Sequence, residues 1–68
     1  MKLIKLTLMG STPKDDEILL LNPRHVLSVK EQRDNSNRRE VVCFVKMAGG
    51  EGFTVRNSAE YILRVANQ

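Results

Sequence analysis

Covalent catalysis needs a nucleophile or proton carrier placed within hydrogen-bond reach of a partner that activates it. The chain has one histidine, His25, and one cysteine, Cys43. No Ser, Cys or carboxylate stands at a recognisable motif spacing from His25, so its ring is expected to sit partly exposed at the start of a strand, with a pH-sensitive or ligand contact as the alternative. Cys43 lies between Val42 and Phe44, an apolar setting that keeps a thiol protonated and inert. Gly49, Gly50 and Gly52 would suggest a phosphate cradle if they led from a strand into a helix with a lysine in register; they stand between two strand-like runs, so a hairpin turn is expected. Asp15, Asp16 and Glu17 could offer oxygen ligands to a divalent ion, but no calcium-loop spacing follows them, and a solvated loop is the expectation. These residues lead us to expect no catalytic group, no metal ligand and no cofactor.

A binding role has more support. Lys30, Arg33, Arg38, Arg39 and Lys46 are the candidate contact residues, since cations clustered around a hairpin can meet a protein partner or the phosphates of a nucleic acid. Between positions 30 and 40, however, four cations face Glu31, Asp34 and Glu40, so the loop is a mixed surface rather than a basic stripe. The aromatic residues are Phe44, Phe53 and Tyr61, few for a base-stacking platform. The leading expectation is an interaction or accessory module that binds a protein partner through a sheet edge or the polar hairpin tip, with a homo-oligomer among the candidates. The alternative is a small nucleic-acid-binding domain using the basic 30–46 hairpin.

The elements that must carry these residues can be read from periodicity. Lys2 to Met9 alternates, with Ile4, Leu6 and Leu8 on one face and Lys5 and Thr7 on the other, the pattern of a half-buried strand. Gly10 to Asp16 is turn chemistry. Ile18, Leu19, Leu20 and Leu21 form an aliphatic run too short for an independent helix and well sized for a covered strand. Asn22-Pro23 breaks it with a kink or single helical turn. His25 to Gln32 resumes alternation, with Leu27 and Val29 expected inward and Ser28 and Lys30 outward. Arg33 to Arg39 is wholly polar, and its tip is expected to be mobile.

From Arg39 onward, Val41, Cys43, Val45 and Met47 share one side of a strand while Val42, Phe44 and Lys46 take the other. A strand apolar on both faces belongs in the middle of a sheet. A glycine turn returns the chain as Phe53 to Val55. Asn57, with Glu60 three residues on, suggests a capping box, and Ala59, Ile62, Leu63 and Ala66, with Val65 beside them, give a helix one apolar stripe. The expected fold class is α+β: residues 1–68 as one domain, a small antiparallel five-stranded twisted sheet or partly open barrel with one C-terminal helix.

Length and composition set the bounds. A chain of 68 residues with 41% hydrophobic content is globular with a small core, and self-association is a natural remedy for marginal stability. A lone cysteine cannot form an intramolecular disulfide, which points to a reducing, cytoplasmic setting. No run reaches the roughly 18 apolar residues of a membrane helix. Met1 to Met9, interrupted by Lys2, Lys5 and Thr7, does not read as a signal peptide.

The order of signals resembles a known family. Ile4-Lys5-Leu6-Thr7, then Leu21-Asn22-Pro23 followed by His25-Val26-Leu27-Ser28-Val29, then Phe53-Thr54-Val55-Arg56-Asn57-Ser58-Ala59-Glu60-Tyr61-Ile62, are similar to the small FlbD-type flagellar proteins and related short bacterial or phage domains. Shared features are the opening strand, the leucine-asparagine-proline corner, the hairpin, and a helix introduced by valine, a charged residue and a Ser-containing cap. In this chain the Thr12 to Glu17 and Arg33 to Arg39 loops are longer, and Asn57 replaces the usual glutamate before the serine. The resemblance implies a non-enzymatic accessory or regulatory domain with no catalytic residues to carry over.

Overall fold

The computed structural model describes residues 2–33 and 41–68. Among these residues five strands run in chain order: β1 (Ile4–Leu8), β2 (Glu17–Leu21), β3 (Val26–Arg33), β4 (Val41–Met47) and β5 (Gly52–Val55). One α-helix among the described residues, α1 (Ala59–Ala66), follows. All pairings are antiparallel and the spatial order is β2-β1-β5-β4-β3. The sheet is open, with β2 and β3 as its edges and β4, apolar on both faces, inside it. This is the α+β architecture that the periodicity predicts.

One face of the sheet is the core face. Ile4, Leu6, Leu21, Cys43, Val45, Met47 and Val55 pack there with Ile62 of α1. The helix touches both β1 and the far strand β3, which requires a strongly curled sheet.

Turn chemistry matches local sequence. Pro13–Asp15 and Pro23–His25 form short 3-10 turns, each with proline in the first turn. Asn22 Oδ1 accepts from the Arg24 amide at 3.0 Å. The β4–β5 reversal needs a left-handed residue, and Gly50, at φ 93°, supplies it. The His25 carbonyl accepts from the Ala48 amide at 2.7 Å and ties this turn to the β2–β3 corner.

Four details differ from the sequence reading. Leu27, expected inward, is 65% exposed, because the β3–β4 register shifts between Val26 and Ser28. A bulge there lets Val26 and Val29, rather than Leu27 and Val29, face the core. The β2 run is not covered on both sides: Ile18 and Leu20 are 69% and 56% exposed. Leu63 lies on the solvent side of the helical stripe, while Tyr61 and Val65 join Ala59 and Ile62 against the core. The helix cap is Ser58, whose Oγ accepts from the Tyr61 amide at 3.1 Å. Asn57 works elsewhere, its Oδ1 accepting from the Thr7 amide at 2.7 Å.

That bond belongs to a seam. β1 and β5 share one register pair, Leu8 with Val55, flanked by Met9 N–H to Thr54 O (2.9 Å) and Arg56 N–H to Thr7 O (3.0 Å). Beyond this point the strands diverge, and side chains complete the ladder. Asn57 takes the Thr7 N–H, and the Tyr61 hydroxyl donates to the Lys5 carbonyl at 3.4 Å. Backbone groups on the inner flank of β1 thus keep partners where the sheet opens.

Candidate interaction surface

Antiparallel partners share a face, so register assigns every strand side chain. Opposite the core lies an outer face carrying Lys5, Thr7, Ile18 and Leu20 from β1 and β2, Thr54 from β5, the buried Val42 with Phe44 and Lys46 from β4, and Ser28, Lys30 and Gln32 from β3. Glu17 and Glu31 pair with Leu8 and Cys43 and so belong to the core side. Among the described strand residues, the outer face has three lysines and no carboxylate.

The five candidate contact residues are divided by this geometry. Lys30 and Lys46 are brought together: Lys30 pairs with Phe44, and Lys46 follows two positions along the same strand. Arg33, paired with Val41, lies on the opposite face at the end of β3. Arg38 and Arg39, with the hairpin tip, lie outside the described residues.

Phe44 is the aromatic residue of the outer face. It is 36% exposed, and its ring lies over Gly52, where a Cβ would collide with it. Phe53 packs against the core instead. Cys43 is fully buried, and burial, with the Glu31 charge as the lesser cause, pushes its thiol pKa up. His25 is exposed in its 3-10 turn. Asp16 accepts from the Gly10 amide and from Arg56, and no cluster of three His, Cys, Asp or Glu residues suited to a metal occurs among the described residues. No helix among those residues is long and apolar enough to cross a membrane.

The two sheet edges differ in character. β3 is eight residues long, is bulged at Leu27 and carries Lys30, Glu31 and Arg33, which are devices that discourage a further strand from pairing. β2 reads Glu-Ile-Leu-Leu-Leu in unbroken register with β1. Its backbone polarity follows from the seam. Thr7 and Met9 direct their amide and carbonyl groups toward β5, so Ile4, Leu6 and Leu8 direct theirs toward β2. The partners of those three, Leu21, Leu19 and Glu17, face β1 in turn. Ile18 and Leu20 therefore present their N–H and C=O groups to the free edge while their side chains stand exposed on the outer face.

Sequence reasoning missed Ile18 and Leu20 as surface residues because β2 is apolar at four successive positions, which erases the alternation that would show which face is wet. A second apolar feature, a groove of about 360 Å³ with Pro23, Val26, Val29 and Leu63 in its walls, runs between α1 and β3. Compared with known proteins, the chain matches no family model. Searches of curated proteins and of solved structures likewise return no match.

Proposed function

We propose that this chain is a non-enzymatic interaction module of a reducing cytoplasm, which captures a protein partner by adding a strand at the β2 edge. One observation carries the reading: Ile18 and Leu20 combine backbone groups without a partner among the described residues with side chains that are 69% and 56% exposed, on an edge that lacks the bulge of β3 and whose one charged residue, Glu17, stands at its end. Added strands gain affinity from main-chain hydrogen bonds and specificity from alternate side chains. Kinship with FlbD-type flagellar proteins belongs to the same proposal. It is supported by the Leu21-Asn22-Pro23 corner, which forms the 3-10 turn, and by the serine cap at Ser58.

Photo-crosslinking tests this. A benzophenone side chain placed at position 20 should give a discrete adduct in host lysate that Ile18→Lys removes, while the same group at position 30 should give none. Equal adducts from both positions would sink the proposal.

The alternative, a nucleic-acid surface, is favoured by Lys30 and Lys46 lying beside the half-exposed Phe44, on a face without carboxylates among the described strand residues. Its test is a salt titration with mixed single-stranded DNA and RNA, because phosphate contacts make affinity fall steeply as salt rises. Absence of binding at low salt ends that reading.

A further inference from the structure

We infer that the partner strand at the β2 edge is β2 of a second copy of this chain, running antiparallel about a two-fold axis through Leu19. This inference rests on the edge-pairing reading given above and names its occupant.

Backbone geometry permits the arrangement. The edge-facing residues of β2 are Ile18 and Leu20, two apart, and pairing centred on Leu19 sets Ile18 against Leu20 of the second copy and Leu20 against its Ile18. Both pairs then join residues whose N–H and C=O groups face the junction, as a closely bonded antiparallel pair requires. On the outer face the same register stacks four exposed aliphatic side chains across the junction. A two-fold axis makes every contact occur twice, so one short strand supplies both halves of the interface.

Charge complementarity selects this occupant. The strand has an acidic approach, with Asp15 and Glu17 against a single Lys14, Asp16 being already paired to Arg56. Its far end is basic: Lys2 lies with Asn22, Pro23 and Arg24 around one shallow cleft. Antiparallel self-pairing brings the acidic end of each copy beside the basic end of the other, twice. A parallel arrangement would set like ends together. Opposed ends of this kind chiefly fix orientation and register.

Sedimentation velocity on the full chain, from micromolar to millimolar concentration at low salt, tests the inference. The expected mass rises to twice the 7.7 kDa of one chain. Ile18→Lys/Leu20→Lys should hold the chain at the single mass, with an unchanged far-UV spectrum and a melting temperature equal to that of the dilute, dissociated wild-type chain, because both side chains are exposed in one copy. Glu17→Arg and Arg24→Glu should each weaken dimerisation by about three- to tenfold, and combining them should restore it to within about threefold, because positions 17 and 24 have then exchanged signs. A double variant weaker than either single variant overturns the antiparallel register.

A chain that stays at the single mass at millimolar concentration overturns the second copy as partner. In that case the position-20 adduct separates the two readings. An adduct of higher mass that Ile18→Lys removes leaves the β2 edge as a site for a different protein, whereas no adduct removes the edge reading as well. A dimer that Ile18→Lys/Leu20→Lys leaves intact also overturns the inference, by placing the interface elsewhere.

Discussion

Arg56 Nε donates to Asp16 Oδ2 at 2.5 Å, joining the loop before β2 to the end of β5 across 40 positions of sequence. The other oxygen, Asp16 Oδ1, accepts from the Gly10 amide at 2.9 Å. One carboxylate thus closes the Gly10–Asp16 loop on itself and pins it beside the short β1–β5 seam. Both side chains are largely shielded, at 20% and 16% exposure.

The Gly10 amide, and after it the Arg56 guanidinium, hold the Asp16 pKa below the usual carboxylate value. A depressed folded-state pKa gives stability that is fully present above the unfolded value, about 3.9, and is lost as pH falls through the folded value. Asp16→Asn should therefore lower the urea midpoint at neutral pH, and the gap to wild type should close below about pH 4. Urea titrations across that range check it. A gap independent of pH would show that Asp16 acts through shape and not charge.

Ser58 and Asn57 stand side by side in sequence and perform separate tasks. Ser58→Ala removes the cap on the Tyr61 amide and should destabilise the chain by about 1 kcal/mol, with faster hydrogen exchange confined to the first turn of α1. Asn57→Ala removes the acceptor of the Thr7 N–H and should instead speed exchange at Thr7 in β1. Residue-resolved exchange by NMR distinguishes the two patterns.

Two glycines should respond differently to an added methyl group. At Gly10 a Cβ would strike the backbone of Asp15, whereas at Gly52 it would strike only the Phe44 ring. Gly10→Ala should cost about 1–3 kcal/mol, in the range of overpacked sites. Gly52→Ala should cost less, because a partly exposed ring can swing away, and combining it with Phe44→Ala should abolish the clash. Denaturation of the single and double variants measures this.

Cys43, fully buried, should react with thiol reagents only when the sheet opens. Its folded-state pKa is raised, chiefly by burial and then by Glu31. The neutral thiol is therefore compatible with folding below the ordinary thiol range, and stability falls as pH rises toward the folded value. Labelling should be negligible in the native protein and should rise in parallel with unfolding in urea. Rapid labelling without denaturant would contradict the burial.

The parts of the fold whose signals are local are legible in the chain before it folds. Alternation in Ile4–Leu8 and in Val41–Met47 marks strands because side chains on a strand alternate every two residues. Gly50 marks the turn because only glycine takes a positive φ at no steric cost. Asn22-Pro23 marks the corner because proline fixes its own φ and restricts its neighbour. These signals were enough for the count of strands, the class of fold and the position of the helix. Tertiary structure decided everything that depends on which surfaces meet. The bulge at Leu27 exchanged that residue for Val26 on the core face, since one extra residue reverses the parity of a strand. The divergence of β1 from β5 drew Asn57 away from the helix and left the cap to Ser58. Placing β2 at an edge turned Ile18 and Leu20 into surface, a fact invisible in a run of four aliphatic residues, because only the neighbours of a strand decide which of its groups are left for another chain.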